Sequence, residues 1–384
     1  MPQSAAIDIL AHLVAFDTTS RNSNLDLVAW VEAFLLRHGL TGTRITDETG
    51  QKANLLVTIG PADVPGYILS GHTDVVPVDG QDWSTDPFQL TERDGRYYGR
   101  GSCDMKGFLA VCLAAVPDML AKPLARPIHL AFSYDEEVGC VGVRPMIAHI
   151  AAGSVAPIAC FVGEPTSMQP VIGHKAKRSF KVTVTGKACH SSLAPSGVNA
   201  VEYAAELILK IREIGRRLSA GSTDPLYDVP VSTAHVGTVS GGTALNIVPA
   251  SCEFAFEFRT LPEENIDALV AEVMEHARAE IEPQMHAVDP ATGFRFEEMS
   301  EFPGLATPED APVVTLAKRL AERNDHAKVA YGTEAGLFAE AGIPTVVVGP
   351  GSIGEAHKAD EFITAEQLAA CARFVERLIE EARA

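Results

Sequence analysis

Short apolar runs that end on a histidine or an acid recur along this chain, and they constrain its fold more than any other feature. The first is YILSGHTD, Tyr67–Asp74. Its apolar part is too short for a helix and reads as a buried strand. His72 and Asp74 follow at once, with the residue types of a metal ligand and the group that orients it. Taken alone, the segment reads at least as readily as a polar strand end with an Asx-type turn. The arrangement then recurs: IHLAFSYD ends in Glu136 and Glu137, and IACFVGEP ends in Glu164. Alternation of such strands with helical patterns predicts an α/β architecture, a mainly parallel twisted sheet flanked by helices. In such a sheet the carboxyl ends of the strands form the rim where ligands and metals gather.

Taken in order, the spacing predicts a helix capped by Ser4, with Ile7, Leu10, Leu13 and Val14 on its apolar face. A second helix covers Leu25 to His38 and stops at Gly39. A turn-rich stretch from Val76 to Gly101 leads into a long helix from Lys106 to about Leu120. The glycines of GRGS fit neither nucleotide-binding spacing. From Phe180 the texture changes to the half-exposed alternation of FKVTVTGK and CEFAFEFR, with helices at about 200–218 and from Pro262 to about Ile281. This reads as an inserted α+β domain over 180–289, leaving 1–179 and 290–384 as one α/β domain. Helices from Pro312 and Ala335, the strands AKVAY and PTVVVG, and a capping box of Thr364 with Gln367 complete it.

At 384 residues the chain exceeds the usual limit for a single core. Lys and Arg number 31 against 50 acids, a formal charge of −19. That balance argues against nucleic acid and anionic membrane surfaces as partners. No apolar run reaches spanning length, and MPQSAAIDILAHL lacks the basic start of a signal peptide. Seven cysteines without a C-x-x-C spacing fit reduced thiols in a cytoplasm rather than a disulfide framework or a structural zinc site.

His72, Asp104, Glu137, Glu164 and His357 share one description: each follows a strand or sits in a loop above one. A parallel sheet would bring all five to one rim. Each alone has an ordinary reading, Asp104 as a helix cap and the glutamates as solvated turn charges. Two histidines and three carboxylates are a donor set that zinc accepts. Three carboxylates leave a pair of dications with residual positive charge, which favours ionisation of water, whereas a single dication would be over-neutralised. Glu136 is the spare carboxylate, free to serve as a base.

These residues lie in SGHTDVVP, GRGSCDMKGF, YDEEVG, GEP, TGKACHSS, GGTALNIVPASCEFAFEFR and GPGSIGEAHKADEFI. In that order they resemble the dinuclear zinc amidohydrolases, a zinc-exopeptidase-like family that includes acetylornithine deacetylase, succinyl-diaminopimelate desuccinylase and the aminoacylases. The resemblance implies two Zn²⁺, with Co²⁺ as a possible substitute: His72 and Glu164 on one, Glu137 and His357 on the other, Asp104 bridging. It makes Glu136 the general base and Asp74 the group that orients His72, and it implies a cis peptide after Asp104. His190 matches a residue that crosses to the partner's site, which implies a homodimer through the inserted lid domain. Arg259 and Asn246 match residues on the substrate's carboxylate and reacting centre. On the residues alone, His190 reads as a polar strand end and Arg259 as the outward end of an edge strand.

Within the family, YGTEAGLF and GPGSIGEAHKADE are most like the branch acting on N²-acetyl-L-ornithine, which yields L-ornithine and acetate in arginine biosynthesis. Another N-acyl amino acid, such as succinyl-diaminopimelate or acetyl-citrulline, is the close alternative. An inert metal- or amino-acid-binding homologue is the distant one, and Glu136 beside intact ligands speaks against it. Glu334 reads either as the acceptor for the substrate's side-chain ammonium or as the cap of the helix from Ala335.

Overall fold

Apolar spacing near the start produces α1 (Gln3–Val14) and α2 (Leu25–Arg37) in the computed structural model, which describes residues 3–153 and 155–384. Ser4 lies inside α1, so the expected cap is corrected. Asn24, before α2, makes no side-chain cap either. Its amide is committed to Ala53 through Nδ2–H to the carbonyl oxygen (2.8 Å) and Ala53 N–H to Oδ1 (2.9 Å), which fastens α2 to the sheet. Gly39 ends α2 at φ 74°, left-handed backbone that glycine adopts freely.

The strands β1 (Thr43–Thr46), β2 (Ala53–Ile59) and β3 (Tyr67–His72) come next, then the small strands β4 (Thr91–Arg93) and β5 (Arg96–Tyr98). The long helix expected from Lys106 is two, α3 (Lys106–Ala114) and α4 (Val116–Leu120). Pro117 supplies the break, having no N–H to continue the helical ladder. After these come β6 (Ile128–Ser133), α5 (Arg144–Ala151), β7 (Ala159–Val162) and β8 (Val171–His174).

The insert contains β9 (Ala176–Thr185), α6 (Ala200–Ser219), β10 (Thr233–Gly241), β11 (Ser251–Thr260), α7 (Ile266–His276), α8 (Glu282–His286) and β12 (Gly293–Phe302). Its sheet runs β10-β11-β9-β12, antiparallel throughout. Alternation in β11 sends Phe254, Phe256 and Phe258 into the insert's own core. Asn199 caps α6, and Asn265 caps α7 by accepting from Ala268 N–H. The second helix therefore starts at Ile266 rather than near Pro262. The insert also exceeds the expected 180–289. This compact unit is His174–Gly304 with Val329–Gly332, because β12 pairs with β9 along its whole length.

The chain returns with β13 (Leu305–Ala306), α9 (Pro312–Ala321), β14 (Ala327–Val329), α10 (Ala335–Glu340), β15 (Thr345–Val347), β16 (Phe362–Thr364) and α11 (Ala365–Arg383). The main sheet runs β1-β2-β6-β3-β7-β15-β8-β13, with β14 on β8. Its central strands β6, β3, β7 and β15 are parallel, and β1, β2 and β8 pair antiparallel at the flanks. Every residue of β3 and β7 is buried, as in a sheet covered by helices on both faces. Phe161 of β7 meets Phe374 of α11 edge-on at 5.3 Å between centroids. Thr364 caps α11 by accepting from Gln367 N–H (3.2 Å), but the Gln367 side chain accepts from Gly351 N–H (3.1 Å), so the expected capping box is half made. Among the described residues, no helix is long and apolar enough to cross a membrane.

Candidate metal centre

All five expected ligands fall in the compact unit built on the parallel strands. His72 is the last residue of β3 and stands opposite Ser133, the last of β6. Glu136 and Glu137 follow β6 after a tight reversal at Asp135, whose φ of 52° is unusual outside glycine. Lys52 holds that turn, its Nζ 2.6 and 2.7 Å from the two Asp135 oxygens. Glu164 lies just beyond β7, next to Gly163, where an added Cβ would stand 2.1 Å from the Phe108 ring. Asp104 precedes α3 and has a cis peptide bond to Met105, as the resemblance implied. His357 follows a short 3₁₀ turn, Ile353–Glu355, after β15.

Asp104 stands at the centre. Its Oδ1 is 3.1 Å from His72 Nε2, and its Oδ2 is 3.3 Å from His357 Nε2. His72 Nε2 also lies 3.6 Å from Glu164 Oε1, and His357 Nε2 lies 3.0 Å from Glu137 Oε2. Donor atoms of His72, Asp104 and Glu137 lie within 4.8 Å of one another, as do those of His72, Glu136 and Glu164. Glu137 Oε1 and Glu164 Oε1 are buried without a hydrogen-bond partner.

The electrostatics describe a cluster with too little positive charge. Burial, then neighbouring carboxylates, push Glu136 up to about 8 against the opposing pull of His72. Burial and Asp104 push Glu137 up to about 7, and they hold Glu164 well above the carboxylate range. Burial would also raise Asp104, but hydrogen bonds from His357 and His72 outweigh it and keep its carboxyl below the usual range. Hydrogen bonds to Asp104 and Glu137 raise His357 to about 10. Orphaned carboxylate oxygens, mixed nitrogen and oxygen donors and crowded acids all fit divalent cations bound among these side chains.

Asp74 lies against His72 as expected, its main chain closer than its carboxylate. His72 Nδ1 is 2.9 Å from the Asp74 carbonyl oxygen and 3.6 Å from its carboxylate, so the main chain orients the ring. The carboxylate instead accepts from Ser20 Oγ–H (2.7 Å) and from Glu136 and Glu137 N–H (3.1 and 3.3 Å), aiming both glutamates. Ser20 in FDTTS and Cys140, whose thiol donates to Glu136 Oε1 at 3.3 Å, were not singled out by the sequence. Neither carries a motif that would have marked it.

Glu334 fits neither reading offered for it. It has no exposed surface, and it accepts from Ser70 Oγ–H (2.5 Å) on β3 and Ser133 Oγ–H (2.7 Å) on β6. Thr333 Oγ1, not Glu334, accepts from Ala335 N–H at the start of α10. An acceptor for a substrate ammonium needs a face that substrate can reach, so Glu334 is instead a tie between two strands below the rim.

The insert brings together two residues singled out from the sequence. Ser191 N–H donates to the Asn246 carbonyl oxygen (3.0 Å), and His190 bridges to Ile247. His190 is exposed, with Nδ1 accepting from Ser192 N–H at 3.2 Å. Arg259 is half-buried on β11, its Nε–H on Glu257 Oε1 at 2.8 Å.

A cluster of histidine and carboxylate donors at the carboxyl ends of parallel strands has the chemistry of a divalent-metal centre. The chain belongs to peptidase family M20/M25/M40, whose pattern matches residues 68–381. It is 37% identical over 320 residues to acetylornithine deacetylase of Proteus mirabilis (strain HI4320), covering 82% of this chain and 79% of that one. To acetylornithine deacetylase of Myxococcus xanthus it is 34% identical over 377 residues, covering 96% and 95%. In fold it is similar to the M20 metallo-carboxypeptidase Sso-CP2 from Sulfolobus solfataricus, with TM-score 0.78 and 18% identity over 98% of this chain and 99% of that one. The YXEP protein of Bacillus subtilis, a dinuclear metal-binding peptidase of the M20 family, gives TM-score 0.67 at 16% identity over 99% and 98%.

Proposed function

We propose that this hydrolase removes the acetyl group from N²-acetyl-L-ornithine, releasing L-ornithine and acetate, as a step in arginine biosynthesis in the cytoplasm. The observation that carries the metal reading is Asp104, which offers one oxygen toward each histidine, the disposition a bridging carboxylate needs. His72 and Glu164 would hold one ion, Glu137 and His357 the other, with zinc as the native metal and cobalt as a substitute. When bound, the pair would supply a Lewis acid for the acyl carbonyl and lower the pKa of water towards neutrality.

Glu136 does the proton work. It takes a proton from the attacking water and returns it to the departing amine nitrogen, and a pKa raised by burial suits both steps. Asp74 and Cys140 keep its carboxylate aimed. Arg259 is the group for the substrate's α-carboxylate, since a guanidinium can grip it with two parallel hydrogen bonds. Asn246 and, from the partner subunit of a homodimer, His190 act at the reacting centre. Support for the dimer comes from β10, which ends the insert's sheet as an edge strand with Val239 exposed.

The test is a hydrolysis panel on zinc-loaded protein with acetyl-ornithine, succinyl-diaminopimelate, acetyl-citrulline and acetyl-methionine. Highest kcat/KM on acetyl-ornithine is expected. A preference for the succinyl substrate would move the assignment to that reaction, and a metal-replete protein inactive on all four would be a binding homologue.

A further inference from the structure

A buried ion pair outside the ligand set joins the two sides of the metal centre. The small sheet β16-β5-β4 pairs Phe362 with Tyr98, which sets Glu361, just before β16, beside Arg100, just after β5. Neither side chain is more than 1% exposed, and Arg100 Nη1–H donates to Glu361 Oε2 at 2.6 Å. Burying two charges is costly unless the remaining hydrogen-bonding capacity is filled. Glu361 fills its own on one loop. Its Oε2 also accepts from Gly101 N–H (3.0 Å), and its Oε1 accepts from Cys103 N–H (2.9 Å) and Asp104 N–H (3.0 Å). One carboxylate therefore holds the backbone of the central ligand, four residues after His357 in the chain.

Arg100 completes the link to the other side. Its Nη2–H donates to Gln81 Oε1 (2.5 Å), and Gln81 Nε2–H donates to the His357 carbonyl oxygen (3.2 Å). Trp83 lies under the guanidinium at 5.1 Å and donates its indole N–H to the same Gln81 oxygen (3.0 Å). An unbroken run of hydrogen bonds thus leads from Asp104 N–H through Glu361, Arg100 and Gln81 to the main chain of His357. His357 needs such support, since its φ of 61° is left-handed and its side chain is half-exposed.

We propose that Glu361 is a positioning residue which, through Arg100 and Gln81, fixes the separation of Asp104 from His357 and so sets the affinity of the ion those two share. The inference rests on the ligand reading above. Groups that orient metal ligands typically change affinity by about 10- to 100-fold when removed. A merely structural ion pair would lower thermal stability and leave the affinities alone.

The experiment titrates metal-free full-length protein with cobalt(II), followed by calorimetry and by the visible absorption of the bound ion. The proteins are wild type, Glu361→Gln, Gln81→Ala and, to identify the ion concerned, His357→Ala. Circular dichroism verifies folding at the working temperature. Wild type should bind two ions. Both test variants should bind the ion that His357→Ala removes about 10- to 100-fold more weakly, with an altered spectrum in that band. Gln81→Ala should leave the other ion at wild-type affinity, while Glu361→Gln, which frees the backbone of the shared Asp104, should weaken it less than the first. Gln81 lies near the surface, so Gln81→Ala decides the matter alone if Glu361→Gln does not fold. Two ions bound in the variants as in wild type would overturn the positioning role, and so would an equal weakening of both. Fewer than two ions in wild type would instead overturn the ligand reading beneath it.

Discussion

Replacing Glu136 with Gln isolates the proton transfer from everything else at the centre. The substitution conserves shape, and the new amide oxygen can still accept from the Cys140 thiol that now donates to Oε1. What it cannot do is take up a proton. Burial and the neighbouring carboxylates push the Glu136 carboxyl up in the metal-free centre, and bound dications would pull it back towards the range in which a carboxylate takes a proton from water and returns it. General-base removal costs about 10²- to 10⁴-fold, which is roughly 3–5.5 kcal/mol of barrier. Glu136→Gln should therefore lower kcat at least about a hundredfold, with KM changed by only a few-fold. Initial rates on N²-acetyl-L-ornithine, with metal measured on the same sample by mass spectrometry, test this. Near-wild-type turnover in a metal-replete variant would refute the assignment. Loss of one ion would show that Glu136, whose oxygen lies within 4.8 Å of donors on His72 and Glu164, is a ligand rather than the base.

Gly163→Ala would set a Cβ 2.1 Å from the Phe108 ring beside Glu164, so thermal unfolding should show a loss of at least about 1–3 kcal/mol, the usual cost of overpacking. Mixing inactive Glu136→Gln with inactive His190→Ala should restore part of the activity if His190 serves the partner's site. No recovery after proven subunit exchange would exclude that. His174 is fully buried, and burial lowers its pKa to about 4. Its depressed value means the unfolded chain takes up a proton that the folded chain refuses, so the contribution is complete above about pH 6.5 and is lost as pH falls towards 4, to a total of about 3 kcal/mol. The melting temperature should drop between pH 7 and pH 5, and less steeply in His174→Gln; parallel curves would refute the claim.

The rim of candidate ligands was legible because a strand's carboxyl end is a local event in sequence: an apolar run stops and a donor follows. His72, Glu137 and Glu164 stand out in that way, and they do meet in space. What the sequence hides is depth. Glu334 follows a glycine-flanked turn that looks exposed, yet the chain there dives beneath the rim and buries the carboxylate on Ser70 and Ser133. Partner choice is hidden as well. Gln367 sits at a capping-box spacing, but Gly351 competes for its side chain and wins. Asp74 has the spacing of a histidine partner, although its carbonyl makes that contact and frees the carboxylate for Glu136 and Glu137. The Arg100–Glu361 pair joins positions 261 residues apart, and nothing local in either predicts it.

The strand order has a consequence for how the protein is made. β15 lies between β7 and β8 in the main sheet, yet the whole insert is translated between those strands and β15. During synthesis, β7 and β8 therefore wait with their facing edges unpaired until residues 345–347 have left the ribosome. Unpaired edges are templates for pairing with the wrong chain. His357 emerges later still, so four of the five candidate ligands are translated well before the cluster can close. Slow elongation through the insert should then lengthen the interval in which the nascent chain depends on chaperones.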